Sequence, residues 1–232
     1  APPAPLESPR CMKAIRLVRP APDSFVLEEV PTPEPGDGEA LVKVKAAGIC
    51  GTDRHLRNWD ASVRDLLRPP FTPGHEFCGE VASLGRGVSG WKTGEYVSCE
   101  MHLVCGRCAA CRNGVAHLCS NHKVVGIHRD GTFAQYVVLP ASNLVRLPAE
   151  LSPRVGAFLD ALGNADHTPL STSICGSTVA VLGFGPIGAM TAAVAQFCGA
   201  GALFVTDVNP HNLALAKSWV ARCEKKAGRK LP

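Results

Sequence analysis

The stretch STVAVLGFGPIGAMTAAVAQFCGAGALFVTDVNP, which runs from Ser177 to Pro210, decides the fold of the second part of the chain. It predicts a buried strand, a glycine turn, an alanine-rich helix and a second strand. Gly183, Gly185 and Gly188 stand at the turn in the spacing G-x-G-x-x-G. These glycines allow a tight turn, a close approach of the backbone to a pyrophosphate, and close packing of strand and helix. The order of elements therefore predicts an α/β unit that binds a dinucleotide.

Asp207 ends the second predicted strand, nineteen residues after Gly188, where such units carry the acid that binds ribose. A carboxylate accepts a hydrogen bond from a ribose 2′-hydroxyl and repels a 2′-phosphate, so we expect NAD rather than NADP. Only about fifty residues follow Gly183, which is room for one βαβ unit and little more. We therefore expect an incomplete dinucleotide-binding domain in a C-terminally truncated chain.

The sequence before this unit has a different pattern of residues. From Met12 to about Arg146, short runs of alternating apolar residues are separated by Gly and Pro, which predicts an all-β, barrel-like domain. A helical pattern follows from Ser152. We expect an all-β domain over residues 12–168, a partial α/β domain over 169–232, and a disordered proline-rich leader over 1–11.

Four cysteines lie within fifteen residues of the predicted β domain, at the spacing C-x2-C-x2-C-x7-C. They are Cys105, Cys108, Cys111 and Cys119. Four thiolates this close together can surround one tetrahedral ion, which favours a closed structural zinc site. An iron–sulfur cluster is an alternative, but the bacterial ferredoxin run continues with x3-C-P. Two disulfides are a third reading, although x2 spacings are tight for pairing.

A second candidate metal site combines Cys50 with the adjacent pair His75 and Glu76. Three protein ligands with an open fourth position are typical of catalytic zinc. Each residue alone is more often a core cysteine or a surface polar group. Successive strand residues point to opposite faces, so both members of the pair reach one ion only where the backbone departs from regular β structure. Asp160 is a further candidate ligand.

Composition excludes several functional classes. The net charge of +4 is small and no basic stripe with aromatic residues is present, so we expect no nucleic-acid partner. No apolar run has the length of a membrane span, and we expect no membrane partner. Eleven cysteines without a secretory signal indicate a reducing compartment, which predicts a cytoplasmic protein.

The segment GHEFCGEVASLGRGV fits the pattern G-H-E-x-x-G-x5-G-x2-V, and the four-cysteine loop and glycine turn follow in order. From about Met12 to Val220 the chain resembles the zinc-dependent medium-chain alcohol dehydrogenases. The resemblance implies a GroES-like β-barrel catalytic domain followed by a Rossmann domain. It also implies two zinc ions per chain, one catalytic and one structural, and NAD.

The resemblance also implies roles for single residues. Cys50, His75 and Glu76 correspond to the catalytic zinc ligands, and Thr52 and His55 to the hydroxyl–imidazole relay that takes the substrate proton. NAD contacts correspond to the residues at Gly183, Gly185, Ile187, Gly188 and Asp207. Two positions depart from the family pattern: Asn212 stands where an arginine is usual, and Ala161 where a proline follows the acid.

The substrate implied by the resemblance is a small secondary alcohol. The strings GICGTDRHLRNWD and LGNADHT are most similar to family members that oxidise L-threonine to 2-amino-3-oxobutanoate. Members that oxidise sorbitol or 2,3-butanediol share much of this text and remain alternatives. The family forms homotetramers through the domain that is incomplete here. A catalytically inactive, zinc-binding remnant is therefore another hypothesis for this chain.

Overall fold

The structure is a computed structural model and describes residues 9–65 and 67–227. Residues 1–8 of the expected leader lie outside the described residues, and the first strand begins at Cys11. By its internal contacts the chain divides into two compact units, residues 1–160 and 161–232. Among the described residues, no helix is both long and apolar enough to cross a membrane.

The described residues form eleven strands and seven α-helices. The strands are β1 (Cys11–Leu17), β2 (Phe25–Pro31), β3 (Glu39–Gly48), β4 (Glu76–Leu84), β5 (Tyr96–Cys99), β6 (His102–Leu103), β7 (Lys123–Val124), β8 (Tyr136–Pro140), β9 (Leu144–Arg146), β10 (Thr178–Leu182) and β11 (Ala202–Thr206). The helices are α1 (Gly51–Asn58), α2 (Ala61–Arg64), α3 (Ala109–Arg112), α4 (Pro153–Gly156), α5 (Leu159–Leu170), α6 (Pro186–Phe197) and α7 (Pro210–Ala227). Two short 3-10 helices cover Ala116–Leu118 and Ala141–Asn143.

The first unit is built on a five-stranded antiparallel sheet in the order β8-β3-β4-β5-β9. The strands β1 and β2 form a separate antiparallel pair, and isolated bridges tie β1 to Ala134 and Phe71. Because β4 lies at the centre of the sheet, its residues are buried on both faces through most of its length. The all-β character predicted for this part of the chain is confirmed.

Apolar residues of the central strands form the main core of the first unit. The cluster includes Val42, Phe77, Val81, Val97 and Leu139, all at most 2% exposed. Other members of the cluster stand two residues from these, Ala40 in β3 and Val137 in β8, as expected for side chains that face one side of a sheet. The sheet therefore provides a rigid base from which the loops at its ends project.

The four-cysteine loop leaves this sheet as a small lobe. The two-residue strands β6 and β7 pair at its base, in the register His102 to Val124 and Leu103 to Lys123. Helix α3 and a 3-10 helix make up most of the rest of the lobe. Sequence patterns missed β6 and β7, because two residues are too few to show an alternation.

The second unit contains the parallel pair β10–β11 with helices α6 and α7. Val181, Phe184, Ala192 and Ala216 form its core, and Trp219 packs against them. The predicted sequence of strand, glycine turn, helix and strand is confirmed. On the opposite side of the sheet, Leu182 and Phe204 are 83% and 61% exposed.

Candidate functional site

The lobe brings its four cysteines together. The Sγ atoms of Cys105, Cys108, Cys111 and Cys119 all lie within 4.8 Å of one another, and all four are free thiols. Cys108 Sγ is 3.4 Å from Cys111 Sγ and 3.8 Å from Cys119 Sγ. The four donors are soft sulfur ligands, which zinc and iron–sulfur clusters accept and calcium or magnesium do not. The cluster could hold one zinc ion with no position left for a substrate.

Backbone N–H groups of the lobe point at the sulfurs. The N–H groups of Cys105 and Asn121 donate to Cys119 Sγ, and that of Cys108 donates to Cys105 Sγ, each at 3.4 Å. The N–H and thiol of Cys111 lower the pKa of Cys108 to about 6. Burial and the neighbouring thiols raise the pKa of Cys111 to about 12. The loop thus stabilises thiolate at Cys108, the form that a metal binds.

Cys50 lies at the N-cap of α1, where the chain leaves β3. The Asp53 carboxylate accepts a hydrogen bond from the Cys50 N–H at 2.8 Å. Asp53 is only 3% exposed, so the turn that presents Cys50 is fixed from within the first unit. Sequence reasoning missed Asp53. Its signal was an acid three residues after the N-cap, a position that completes a capping interaction.

His75 and Glu76 converge on Cys50, although they are adjacent in the chain. Glu76 is the first residue of β4, whereas His75 lies before the strand and follows Gly74, which has φ of +96°. This departure from regular β structure lets both side chains face one point. The ligand atoms of Cys50, His75 and Glu76 all lie within 4.8 Å of one another, and the latter two residues are 7% exposed.

The electrostatics of this cluster couple the thiol to the imidazole. A hydrogen bond with His75 lowers the pKa of Cys50 below its ordinary value. Burial alone would lower the pKa of His75, but the hydrogen bond with Cys50 and the charge of Asp53 hold it above its ordinary value. Burial raises the pKa of Glu76.

The cluster fits a catalytic zinc ion. His75 Nδ1 and Asp53 Oδ1 are buried polar atoms that have no hydrogen-bond partner in the part of the chain that the structure describes. A thiolate, an imidazole and a carboxylate also supply three ligands, which leaves one tetrahedral position for a substrate oxygen. The residues present can therefore hold the ion that the family pattern implies.

Asp160 lies near this cluster but is not one of its three converging ligands. It occupies the first turn of α5, and burial raises its pKa. The charges of His75, His102 and Glu100 also act on it. Glu100 Oε1 lies 2.7 Å from His102 Nδ1. The sequence analysis did not identify Glu100 or His102, because no local spacing links either residue to Cys50.

Thr52 and His55 share one face of α1, since residues three apart on a helix are neighbours. Thr52 Oγ1 lies 3.7 Å from Cys50 Sγ. His55 Nδ1 lies 2.6 Å from Asp60 Oδ2, and the His55 side chain is 57% exposed. The helix thus carries a hydroxyl beside the Cys50 cluster and, one turn further on, an imidazole in contact with solvent. Asp60 was not predicted to orient His55.

The glycine turn of the second unit has the geometry of a phosphate cradle. Gly183 has φ of +100°, and a methyl group at Gly188 would overlap the Gly183 carbonyl oxygen. At Gly185, the N-cap of α6, a methyl group would enter open space, with no atom within 4 Å. Ile187 is 48% exposed in the first turn of α6. The first N–H groups of a helix have no partner within the helix, and such a helix start is a usual binding site for a pyrophosphate.

Asp207 follows β11, and its carboxylate is held by hydrogen bonds. Its Oδ2 accepts hydrogen bonds from the Phe184 N–H at 2.6 Å and from Asn212 Nδ2 at 3.0 Å, and its Oδ1 accepts one from the Asn209 N–H at 2.7 Å. These donors hold the pKa of Asp207 below its ordinary value. The acid predicted to bind ribose therefore stays ionised next to the glycine turn.

Residues 36–149 match the model of the alcohol dehydrogenase GroES-like domain. The chain is 48% identical to L-threonine 3-dehydrogenase of Bacillus subtilis (strain 168) over 198 residues, which cover 85% of this chain and 57% of that protein. The chain therefore spans little more than half the length of that relative.

Solved structures agree with this similarity. A zinc-binding dehydrogenase from Sinorhizobium meliloti 1021, determined with NADP, superposes with a TM-score of 0.81 at 39% identity, over 90% of this chain and 59% of that one. Acetophenone reductase from Geotrichum candidum NBRC 4597, determined with NAD, gives 0.81 at 27% identity over 93% and 63%. With the GroES-like match, the two converging ligand clusters and the glycine turn, the chain is similar to zinc-dependent alcohol dehydrogenases over most of its own length.

Proposed function

We propose that this chain carries the zinc-binding and NAD-binding residues for the oxidation of a secondary alcohol, with L-threonine as the substrate and 2-amino-3-oxobutanoate as the product. The observation that carries this proposal is the convergence of Cys50, His75 and Glu76 within 4.8 Å from separate parts of the chain. Such a set with three ligands serves chemistry, whereas the closed four-thiol lobe serves stability.

The two cofactors supply the chemistry that side chains lack. A zinc ion at Cys50, His75 and Glu76 supplies Lewis acidity, which makes an alcohol proton easier to remove near neutral pH. NAD supplies the acceptor for the hydride from the alcohol carbon. Residues of the chain hold these groups and take the proton.

Thr52 and His55 are proposed to move that proton. The Thr52 hydroxyl, beside Cys50 Sγ, accepts the substrate proton and passes its own towards His55. Asp60 holds His55 through Nδ1, which leaves Nε2 for the exchange of a proton with solvent. An imidazole suits this role because its pKa lies close to neutral pH.

Charge near the cluster supports an amino alcohol as the substrate. Asp160 interacts electrostatically with His75, and Glu100 interacts electrostatically with Asp160. An ammonium group next to the reacting hydroxyl, as in L-threonine, would be attracted to this acidic environment, whereas sorbitol and 2,3-butanediol carry no charge. The similarity to L-threonine 3-dehydrogenases at 45–48% identity points the same way.

A dehydrogenase assay tests this function. The zinc-loaded chain is given NAD with L-threonine, sorbitol or 2,3-butanediol, and formation of NADH is followed, with Cys50→Ser as the inactive control. We expect NADH with L-threonine at the highest kcat/KM. NADH only from another alcohol would contradict the substrate, and no NADH from any of them would contradict the proposed activity of this chain.

A zinc-binding chain without turnover of its own is a second candidate function. It is favoured by the exposed apolar side chains Leu182 and Phe204 on one side of the β10–β11 pair. Parallel sheets are ordinarily covered on both faces, so this face is unusual for a working dinucleotide domain. Zinc at both clusters without measurable NAD binding would favour this second candidate.

A further inference from the structure

The NAD-binding acid of the second unit is aimed by a side chain that the family pattern does not predict. Asp207 Oδ2 is shared by the Phe184 N–H and the Asn212 amide. Oδ1 accepts the Asn209 N–H at 2.7 Å, and the Val208 N–H also interacts with the carboxylate. Two donors therefore fix the position of Oδ2, and this orients the carboxylate as a whole.

Asn212 is the only one of these donors that is a side chain. It lies in the first turn of α7, five residues after Asp207. Its amide is neutral, and no ion pair recorded in the described part of the chain involves Asp207. The carboxylate is thus fixed by hydrogen bonds while its negative charge stays uncancelled.

We propose that Asn212 is a specificity-determining positioning residue, which orients the carboxylate of Asp207 towards the adenosine ribose and keeps the site selective for a free 2′-hydroxyl. This inference rests on the proposed function, because it presumes that the glycine turn binds the adenosine half of the cofactor. The bound cofactor differs among the solved relatives, since one was determined with NADP and another with NAD.

A neutral donor and a cation at position 212 would act differently on the cofactor. A neutral amide orients the acid without attracting a 2′-phosphate. An arginine there would both cancel the charge of Asp207 and pair with that phosphate. A hydrogen bond to a charged group contributes enough free energy to change binding about tenfold. The identity of residue 212 should therefore change the preference between the two ligands.

Calorimetry with the full chain tests this inference, using ADP-ribose and ADP-ribose 2′-phosphate as probes. The measured quantity is the ratio of their dissociation constants. We expect ADP-ribose to bind the unsubstituted chain more tightly. Asn212→Ala should weaken ADP-ribose binding about tenfold and lower the preference by a similar factor. Asn212→Arg should lower it further, by on the order of a hundredfold.

Leu215→Ala is the matched control. Leu215 lies on the same helix, its side chain is 47% exposed, and it has no polar atom that could hold Asp207. This variant should leave the ratio unchanged, which separates positioning from a general effect of substitution in α7.

The outcomes distinguish the two proposals. If both ligands bind and the ratio stays the same in Asn212→Ala and Asn212→Arg, the inference is wrong and the proposed NAD site stands. If the unsubstituted chain binds neither ligand, the cofactor part of the proposed function is wrong and the inference falls with it.

Discussion

The two cysteine-containing clusters of the first unit are built in opposite ways. The lobe takes all four sulfurs from fifteen consecutive residues and needs only its own backbone N–H groups to orient them. The other cluster takes Cys50 from the start of α1 and His75 and Glu76 from the start of β4, so it depends on the five-stranded sheet. A local site can form when its loop forms, whereas a site made from distant segments requires the folded unit.

The largest expected effect concerns the distant cluster. Cys50→Ser removes the thiolate ligand, and we expect turnover of the proposed alcohol substrate to fall at least about a thousandfold. The lobe should keep its zinc, because none of its ligands comes from β3 or α1. NADH formation at saturating zinc measures the loss. Cys11→Ser, an exposed cysteine on β1, is the matched control and should retain parental activity.

The second prediction concerns the lobe. Cys119 is its most buried ligand, at 2% exposed, so Cys119→Ser should release the lobe zinc. Since metal binding orders such loops, the lobe should lose several kcal/mol of local stability and be cut by proteases between residues 105 and 119. His122→Ala, which removes an imidazole beside the lobe, should keep the zinc. Equal protease resistance of Cys119→Ser and the parent would contradict a structural role for the metal.

The third prediction concerns the close contact between Gly48 and Glu76. A methyl group at Gly48 would overlap Glu76 Oε2 and lie 3.0 Å from the Ala157 carbonyl oxygen. Gly48→Ala should therefore displace Glu76 and weaken zinc binding at the Cys50 cluster by about 10- to 100-fold. Gly51→Ala is the matched control, because a methyl group there meets no atom within 4 Å. Zinc titration against a chelator measures both variants, and equal affinities would contradict the role of Gly48.

The smallest effect is expected at Asp60. Asp60→Asn weakens the contact that orients His55, so turnover should fall by less than about tenfold, well below the loss that follows removal of a general base. His55→Ala should cost more than Asp60→Asn. Zinc content should not change in either variant. A larger loss from Asp60→Asn than from His55→Ala would show that Asp60 does not act through His55.

The same contrast explains how much the sequence could predict. The lobe and the glycine turn are local patterns, so spacing alone identified Cys105 to Cys119 and Gly183 to Gly188. Residue types alone made Cys50, His75 and Glu76 a candidate metal site, and the resemblance added their roles. No local spacing links them, because pairing of β3 with β4 brings them together. The positive φ of Gly74, just before His75, is a property of the folded backbone, so the sequence could not predict it.

Other residues escaped prediction for the same reason. Glu100 and His102 interact with Asp160 through tertiary contacts that no local pattern encodes. Asn212 was identified as a departure from the family pattern, but the sequence does not show that its amide donates to Asp207 across the turn between β11 and α7. Local motifs were therefore predictable, and the contacts that orient them were not.

The central claim is that the chain has two independent zinc centres, and metal analysis of single and double variants tests it most directly. We predict two zinc ions in the parent, one in Cys50→Ser, one in Cys119→Ser and none in the double variant. Loss of both ions from either single variant would contradict independence, and two ions retained in Cys50→Ser would contradict the assignment of the Cys50 cluster.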